Sequence, residues 1–273
     1  MASLSAPATD YAPPTEAGRS DPDAVLEIVD VSVRFGGINA VSQASLSARP
    51  GEITGLIGPN GAGKTTTFNV ITGLQQPTQG RVFIGNREVG GLPPYKRARL
   101  GIARTFQRLE VFGSLTVFEN VLAAAEFRHS WSDDETPPRQ VAAEIVARVG
   151  LATVADARVD SLPTGLARLV ELGRALATRP RLLLLDEVGS GLNHDETAAL
   201  GDLMIDLTRD GTAILLVEHD VDLVMRVCNR IFVLDFGKII ASGTPTEIQQ
   251  NPVVQAAYLG ADTDTADEEG AGA

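Results

Sequence analysis

A glycine-rich segment near residue 60 constrains the fold of this chain more than any other feature. Residues 58–65 read Gly-Pro-Asn-Gly-Ala-Gly-Lys-Thr and satisfy the pattern G-x-x-x-x-G-K-[ST] in full. A short apolar strand is predicted before it at 52–57 and a helix after it at 64–74, which is the context that the pattern requires. A glycine-rich turn with a chance lysine would not need this context. The segment therefore predicts a phosphate-binding loop.

The residue types of this loop suit a nucleoside triphosphate. Glycines let successive backbone N–H groups face phosphate oxygens, and the N-terminus of the following helix adds a partial positive charge. Lys64 is predicted to reach the β- and γ-phosphates, and the Thr65 hydroxyl is predicted to bind Mg²⁺. The predicted nucleotide-binding residues of the loop are Gly58, Pro59, Asn60, Gly61, Ala62, Gly63, Lys64, Thr65 and Thr66.

Two carboxylates and a histidine follow apolar runs further along the chain. The run 181–185 does not alternate with polar residues, which is typical of a parallel strand covered on both faces, and it ends in Asp186 and Glu187. Asp186 is predicted to hold the magnesium shell through water, and Glu187 to act as a base or orienting group for the attacking water. His219 follows a similar run at 213–217 and is predicted to contact the γ-phosphate. A surface or core histidine is the alternative.

The order of predicted elements indicates an α/β core interrupted by a helical insert. Strands are predicted at 25–35, 52–57, 81–84, 181–185 and 213–217, with a hairpin at 231–241. Helices are predicted at 64–74, 195–209 and 246–250, and also at 117–127, 141–149 and 166–177 in a middle region without a convincing strand. We therefore divide the chain into an α/β core, 24–106 and 181–260, and a helical subdomain, 107–180.

Composition narrows the class of protein further. The chain has 273 residues, a net charge of −12 and one cysteine, Cys228, which cannot form an internal disulfide and suits a reducing compartment. Its longest apolar runs are strand-sized, so neither a membrane span nor a secretory signal is expected. No dense basic stripe is present, which argues against nucleic acid as a partner.

Most of the acidic excess lies at the two ends of the chain. Residues 1–23 hold four acidic residues and one basic residue, and residues 261–273 hold five acidic residues, so 26 acidic and 22 basic residues remain between them. Both segments are poor in large apolar residues and cannot bury enough surface to offset the entropy of ordering. We expect two disordered tails with a solvating role, and a binding role is the alternative.

These elements, in this order, resemble the ATP-binding subunit of ABC transporters over residues 25–260. The resemblance implies a P-loop NTPase core with a mixed sheet, an N-terminal antiparallel β portion and an inserted all-helical subdomain. It implies ATP as the nucleotide, with Phe35 in the place of the aromatic residue that stacks on adenine. Gln107 matches the glutamine that approaches Mg²⁺ and the attacking water, and His219 matches the switch histidine. A core phenylalanine and a surface glutamine are the alternatives.

The signature sequence of the family is degenerate in this chain. Where ABC transporters usually have Leu-Ser-Gly-Gly-Gln, residues 162–166 are Leu-Pro-Thr-Gly-Leu, so only Leu162 and Gly165 match. The resemblance implies that Gly165 and the helix after it present N–H groups to ATP bound by an opposing subunit. The serine hydroxyl and the glutamine side chain are missing from that surface. Val188 and Asn193 also differ from the usual Pro and Asp.

Further motifs resemble the branched-chain amino-acid importers. They are Arg104-Thr105-Phe106-Gln107 and residues 115–122, 191–193, 217–220 and 257–260. The resemblance implies two ATP molecules bound head-to-tail between this chain and a second copy or a paralogue, and an integral-membrane permease that ATP hydrolysis drives. An extracytoplasmic solute-binding protein would be an indirect partner. The chain would lie peripherally at the cytoplasmic face of the plasma membrane.

Three alternatives to this function stay open. One is an ATPase subunit for another solute, such as urea, a lipid or lipopolysaccharide. A second is a weakly active, ATP-binding regulatory subunit, which the degenerate signature suggests. A third is a soluble ABC ATPase acting on DNA or the ribosome, which the single cassette and the single cysteine disfavour.

One surface prediction concerns the permease. The apolar residues Leu109, Val111 and Phe112 lie beside Gln107 in the sequence and are predicted to receive a permease helix. Ordinary core positions are the alternative for all three.

Overall fold

A computed structural model describes residues 21–257 of the chain. Its strands are β1 Leu26–Phe35, β2 Ile38–Ala48, β3 Ile53–Ile57, β4 Gln79–Ile84, β5 Arg87–Glu88, β6 Ile102–Arg104, β7 Leu182–Asp186, β8 Ala213–Val217, β9 Arg230–Asp235 and β10 Lys238–Gly243. Its helices are α1 Lys64–Thr72, α2 Pro94–Arg99, α3 Val117–His129, α4 Pro138–Arg148, α5 Thr164–Ala177, α6 His194–Arg209, α7 Val221–Val227 and α8 Pro245–Gln249. Within residues 21–257, no helix has both the length and the apolar character of a membrane span.

The larger of two sheets has six strands in the order β10-β9-β3-β8-β7-β6. Five of them run parallel, and β10 pairs antiparallel with β9 as the predicted hairpin. Every residue of β3, β7 and β8 is buried, which accounts for their uninterrupted apolar runs. The carboxyl ends of these three strands meet at one edge of the sheet, the edge at which open α/β sheets bind ligands.

The smaller sheet is antiparallel, in the order β2-β1-β4-β5. The sequence analysis gives no strand for β2, because small polar residues alternate with its buried ones and weaken the apolar pattern. The turn at Gly36 and Gly37 and the period of two are the signals that would have revealed it. In β1, Asp30 has a φ of 50°, and the pairing with β2 shifts register around it.

The six-stranded sheet separates two apolar cores. In β7, Leu182 and Leu184 belong to the core beneath the antiparallel sheet and α1, whereas Leu183 and Leu185 belong to the core beneath the remaining long helices. This division follows the period of two of a strand. The edge that carries the phosphate-binding loop is therefore supported from both faces.

The chain between β6 and β7 is helical. Helices α3, α4 and α5 fill it, and the described residues there contribute no strand to either sheet. A capping box between Thr116 and Glu119 begins α3, and Pro138 occupies the first turn of α4. The predicted fold class is therefore confirmed: an α/β core with a mixed sheet, an N-terminal antiparallel portion and a helical insert. The dividing residues 107 and 180 stay a prediction.

The predicted tails fall largely outside the described residues, which exclude 1–20 and 258–273. Asp21 is described and is buried, and its Oδ2 accepts hydrogen bonds from Arg49 Nε at 2.9 Å and the Ser47 hydroxyl at 3.2 Å. The folded domain therefore includes residues 21–23, which composition alone assigns to the N-terminal tail. Charge patterning missed this boundary because it does not show which acidic residue has a partner.

Candidate active site

The loop between β3 and α1 depends on glycine at two positions of close approach. A Cβ atom on Gly58 would lie 1.9 Å from the carbonyl oxygen of Leu234, and one on Gly63 would lie 2.4 Å from the carbonyl oxygen of Ala40. Both glycines also have positive φ angles, 154° and 108°. Any side chain at either position would force the loop away from β9 or β2. Of the other loop residues, Ala62 is buried, Asn60, Gly61 and Thr65 are exposed, and Pro59 and Thr66 are half-buried.

Lys64 curls back over this loop. Its Nζ donates hydrogen bonds to the carbonyl oxygens of Gly58 at 2.6 Å and Pro59 at 3.0 Å. Burial lowers the pKa of Lys64, and the nearby carboxylates of Glu187 and Asp186 act against this shift. The loop therefore holds a cationic donor at the place where phosphate oxygens are expected.

Asp186 and Glu187 come from the same strand end but have different surroundings. Asp186 is buried, and burial raises its pKa, while the ion pair of its Oδ2 with Arg104 Nη2 at 2.9 Å acts against that shift. Glu187 has a φ of 52°, which a residue other than glycine rarely adopts. Strain of this kind is typical of functional sites. In this conformation Oε2 of Glu187 lies 3.4 Å from Nε2 of Gln107.

Five of the predicted site residues line one small cavity, Gly58 and Asn60 among them. Lys64, Glu187 and His219 surround a space of 80 Å³ at the carboxyl ends of β3, β7 and β8. The His219 side chain is 70% exposed, so it is free to turn toward a ligand in this space. The structure therefore brings together a cation, a carboxylate and an imidazole that lie far apart in the sequence.

Glu218 is a buried carboxylate of this region that the sequence analysis overlooks. Its Oε1 accepts the backbone N–H of Gly189 at 2.7 Å, and its Oε2 lies 3.9 Å from Nδ1 of His219. Burial raises the pKa of Glu218, and the hydrogen bond from Gly189 and the charge of His219 act against the shift. Glu218 thus joins the segment after β7 to the end of β8. The available signal was its place directly after a buried strand, the same signal that identified Asp186.

Phe35 and Gly165, which are predicted to bind nucleotide from outside the loop, do not line this cavity. Phe35 ends β1 and is half exposed in the hairpin with β2, the strand whose Ala40 carbonyl packs against the loop. Gly165 lies in the first turn of α5, and a Cβ there would be 2.8 Å from the carbonyl oxygen of Gly191. Within one described chain, the structure therefore places Gly165 against its own 190–193 segment and not beside the phosphate-binding loop.

Helix α5 holds the segment that carries Gln107. Oε1 of Glu171 accepts the backbone N–H groups of Phe106 at 3.1 Å and Glu110 at 3.4 Å. Arg168 donates to the carbonyl oxygens of Phe106 and Gln107 and pairs with Glu171 at 3.3 Å. Both Arg168 and Glu171 are buried. Because these contacts join residues about 60 positions apart, periodicity in the sequence cannot reveal them.

A largely apolar groove of 580 Å³ opens beside this segment. Its aromatic lining residues are Phe106, Phe112, Phe127 and Trp131. Phe112 and Phe127 are 50% and 62% exposed. Phe112 therefore lies on an open surface as predicted, whereas Leu109 and Val111 pack against the helical core. These two residues are half-buried, and their contact with a permease stays a prediction.

Comparison with known proteins gives the same family along the whole folded part of the chain. A family model described as ABC transporter matches residues 41–190, and one described as branched-chain amino acid ATP-binding cassette transporter matches residues 238–264. The high-affinity branched-chain amino acid transport ATP-binding protein LivG of Salmonella typhimurium is 41% identical over 253 residues, which cover 86% of this chain and 98% of LivG.

Solved cassettes share the fold. A nucleotide-free ATP-binding cassette from an ABC transporter matches with a TM-score of 0.78 and 30% identity, over 86% of this chain and 98% of the other. A dimeric ATP-binding cassette in a post-hydrolysis state, bound to ADP and Pi, matches with a TM-score of 0.73 and 26% identity, over 81% and 98%. On its phosphate-binding loop, its strand-end carboxylates and these matches, the chain belongs to the ABC transporter family as an ATP-binding subunit that hydrolyses ATP.

Proposed function

We propose that this chain hydrolyses Mg²⁺-ATP to drive the import of branched-chain amino acids through a membrane permease. The observation that carries the proposal is the 41% identity to LivG over 98% of that protein's length. LivG bears the name of a branched-chain amino acid transport protein, and the family model that matches residues 238–264 carries the same description. The aligned relative and the C-terminal family model therefore support one solute class.

The residues at the site fit Mg²⁺. This cation prefers oxygen ligands, keeps several waters, and is usually held by one or two protein groups together with the phosphates. Asp186 offers a buried carboxylate, Thr65 a hydroxyl in the first turn of α1, and Gln107 the oxygen of an amide whose Nε2 lies 3.4 Å from Oε2 of Glu187. We assign Mg²⁺ to these three residues. When bound, the ion supplies positive charge that offsets the developing charge on the phosphates.

Each remaining side chain has one role in this proposal. Lys64 and the loop N–H groups bind the β- and γ-phosphates, and Phe35 stacks on adenine. Glu187 accepts a proton from the attacking water. Gln107, whose Nε2 lies 3.4 Å from Oε2 of Glu187, orients that water. His219 contacts the γ-phosphate from the end of β8. A general base of this kind contributes roughly 10²–10⁴-fold to a rate.

Hydrolysis in this proposal needs two chains. The N-terminus of α5 with Gly165 completes the ATP site of an opposing subunit, a second copy or a paralogue, so that two ATP molecules lie head-to-tail between the chains. The dimeric relative bound to ADP and Pi is a precedent for this arrangement. ATP favours the closed pair and hydrolysis reopens it, because the two states differ in their contacts with nucleotide.

The permease is proposed to dock in the apolar groove beside Gln107. Its exposed aromatic side chains suit the apolar face of a short helix, and the segment that carries Gln107 forms one wall. The chain would then lie at the cytoplasmic face of the plasma membrane, held there by the permease. An extracytoplasmic solute-binding protein would act only through the permease, because this chain holds no solute site in the proposal.

The groove proposal is tested by co-purification of the chain with its permease pair. Phe112→Asp places a charge at the groove, so we expect less than a tenth of the wild-type recovery of permease. Phe236→Asp is the matched control, because Phe236 is 88% exposed in the β9–β10 turn. Wild-type recovery with Phe112→Asp would refute docking at this groove.

The solute is tested with the purified transporter in vesicles. We expect ATP-dependent uptake of labelled leucine, isoleucine or valine when the solute-binding protein is present. Uptake of urea alone, or extraction of a lipid or lipopolysaccharide, would instead assign the cassette to one of the alternative solutes. The degenerate signature at 162–166 favours one further candidate, a weakly active regulatory subunit. That candidate predicts ATP binding without turnover in the complete transporter.

A further inference from the structure

Arg104, the last residue of β6, joins two parts of the site. Its Nη2 lies 2.9 Å from Oδ2 of Asp186 at the end of β7, and its Nη1 lies 2.6 Å from Oδ1 of Asn69 in α1. The side chains of Arg104 and Asp186 are only 6% and 2% exposed. Among residues 21–257, no other group donates a hydrogen bond to the Asp186 carboxylate.

Two aromatic rings fix the guanidinium of Arg104 further. Its central carbon lies 5.3 Å from the ring centre of Phe68 in α1 and 5.0 Å from that of Phe106, which directly precedes Gln107. Both distances are within the range of cation–π contacts. A planar guanidinium can contact rings and form in-plane hydrogen bonds at the same time, which an ammonium group cannot do. One side chain is therefore held by α1, by β7 and by the segment that carries Gln107.

This arrangement fixes the orientation of Asp186. Arg104 engages Oδ2 and leaves Oδ1 without a hydrogen bond from the described residues. A single anchored oxygen restricts rotation of the carboxylate, so the second oxygen keeps one direction. Removing the cationic partner of a buried pair also leaves the remaining charge uncompensated. The side-chain hydrogen bonds of Arg104 go to Asn69 and Asp186, and none of those among residues 21–257 goes to Lys64 or to a glycine of the phosphate-binding loop.

We propose that Arg104 is a positioning residue for ATP hydrolysis, which holds Asp186 so that its free oxygen faces the Mg²⁺ of bound nucleotide. The inference rests on the proposed role of Asp186 toward Mg²⁺. It predicts that loss of Arg104 weakens the response to Mg²⁺ and leaves metal-free nucleotide binding intact. A purely structural ion pair would predict instead that both change together, or that neither changes in a folded variant.

The test compares Arg104→Gln, Arg104→Lys and the control Arg209→Gln in the assembled transporter. Arg209 is exposed in α6, with a weak contact of 3.9 Å to Asp206. Two quantities are measured: the affinity for trinitrophenyl-ATP in EDTA, and the Mg²⁺ concentration that gives half-maximal ATP turnover at fixed ATP. Thermal unfolding midpoints show which variants are folded. Asn69→Ala, which removes only the second anchor of Arg104, serves as well if Arg104→Gln does not fold.

We expect Arg104→Gln to raise the half-maximal Mg²⁺ concentration about tenfold and to change the affinity in EDTA less than twofold. Arg104→Lys keeps the charge and should stay within about threefold of wild type, Asn69→Ala should shift in the same direction by about twofold to threefold, and Arg209→Gln should not change. A wild-type Mg²⁺ dependence in folded Arg104→Gln, or in Asn69→Ala where that variant replaces it, would overturn the inference. Absence of nucleotide binding in the wild type would instead refute the proposed function.

Discussion

One hydrogen bond connects the two strand ends that carry Glu187 and His219. Oε1 of Glu218 accepts the N–H of Gly189 at 2.7 Å. Gly189 lies two residues after Glu187, and Glu218 directly precedes His219. Glu218 is buried, so neither partner can easily exchange this bond for water. Removing one partner of a buried hydrogen bond costs about 1–3 kcal/mol. At the residue scale, the relative position of Glu187 and His219 therefore depends on the Glu218 carboxylate.

Substitution of Glu218 tests how much its hydrogen bond with Gly189 contributes to the free energy of unfolding. Glu218→Ala leaves the Gly189 N–H without its acceptor, and we expect the free energy of unfolding to fall by about 1–3 kcal/mol. Glu218→Gln keeps an acceptor oxygen and should lose much less at neutral pH. Urea unfolding monitored by circular dichroism measures both differences.

The free energies of unfolding of wild type and Glu218→Gln should depend differently on pH, because the pKa of Glu218 is raised. Because the folded state favours the protonated form, the contribution of Glu218 to stability is full below its unfolded pKa near 4.5 and is lost as pH rises through the folded value. Glu218→Gln does not titrate, so its stability relative to wild type should increase over the interval above about pH 4.5, the unfolded value. A difference that stays constant over this interval would contradict the assigned direction.

At the scale of elements, α5 connects two functional surfaces. Its first turn holds Gly165 against the segment 190–193, and its middle holds the Gln107 segment through Arg168 and Glu171. A helix is stiff over this length, so a displacement at its N-terminus reaches the Gln107 segment of the same chain. In the proposed dimer, that N-terminus meets the ATP of the other subunit. Helix α5 would then connect the ATP bound by the other subunit to Gln107, which orients water at this chain's own ATP site.

Gly165→Ala tests this element. The added Cβ would lie 2.8 Å from the backbone oxygen of Gly191, so the start of α5 must move, whereas the phosphate-binding loop is untouched. We expect unchanged nucleotide affinity in the isolated chain and a more than tenfold loss of ATP turnover in the assembled transporter. Gly91→Ala is the matched control, since a Cβ there meets no atom within 4 Å. Equal turnover in both variants would argue against a role for the start of α5.

At the scale of the whole molecule, the sequence predicts those structural features that a short run of consecutive residues determines. The phosphate-binding loop from Gly58 to Thr65 and the buried strand before Asp186 depend on short segments, and the structure contains both. The fold class follows, because alternating strands and helices with a phosphate-binding loop permit few topologies.

Contacts between distant segments could not be predicted in this way. Three such contacts join residues that lie from about 30 to more than 80 positions apart. They are the hydrogen bonds between Glu171 and Phe106, between Glu218 and Gly189, and between Arg104 and Asp186. Only the tertiary structure brings these partners together. Strand β2 was missed for a different reason, since small polar residues alternate with its buried ones and weaken the apolar pattern. The half-burial of Leu109 and Val111 could not be predicted either, because apolar residues beside a glutamine do not reveal whether they face solvent or core.

The central claim is that Lys64 binds the nucleotide and Glu187 carries out its hydrolysis in the assembled transporter. The measurement that tests it most directly is ATP binding and turnover for wild type, Lys64→Ala and Glu187→Gln under the same conditions. We expect Glu187→Gln to bind ATP as wild type does but to turn it over at least about 10²-fold more slowly, and Lys64→Ala to lose binding. Equal turnover in Glu187→Gln and wild type would contradict it.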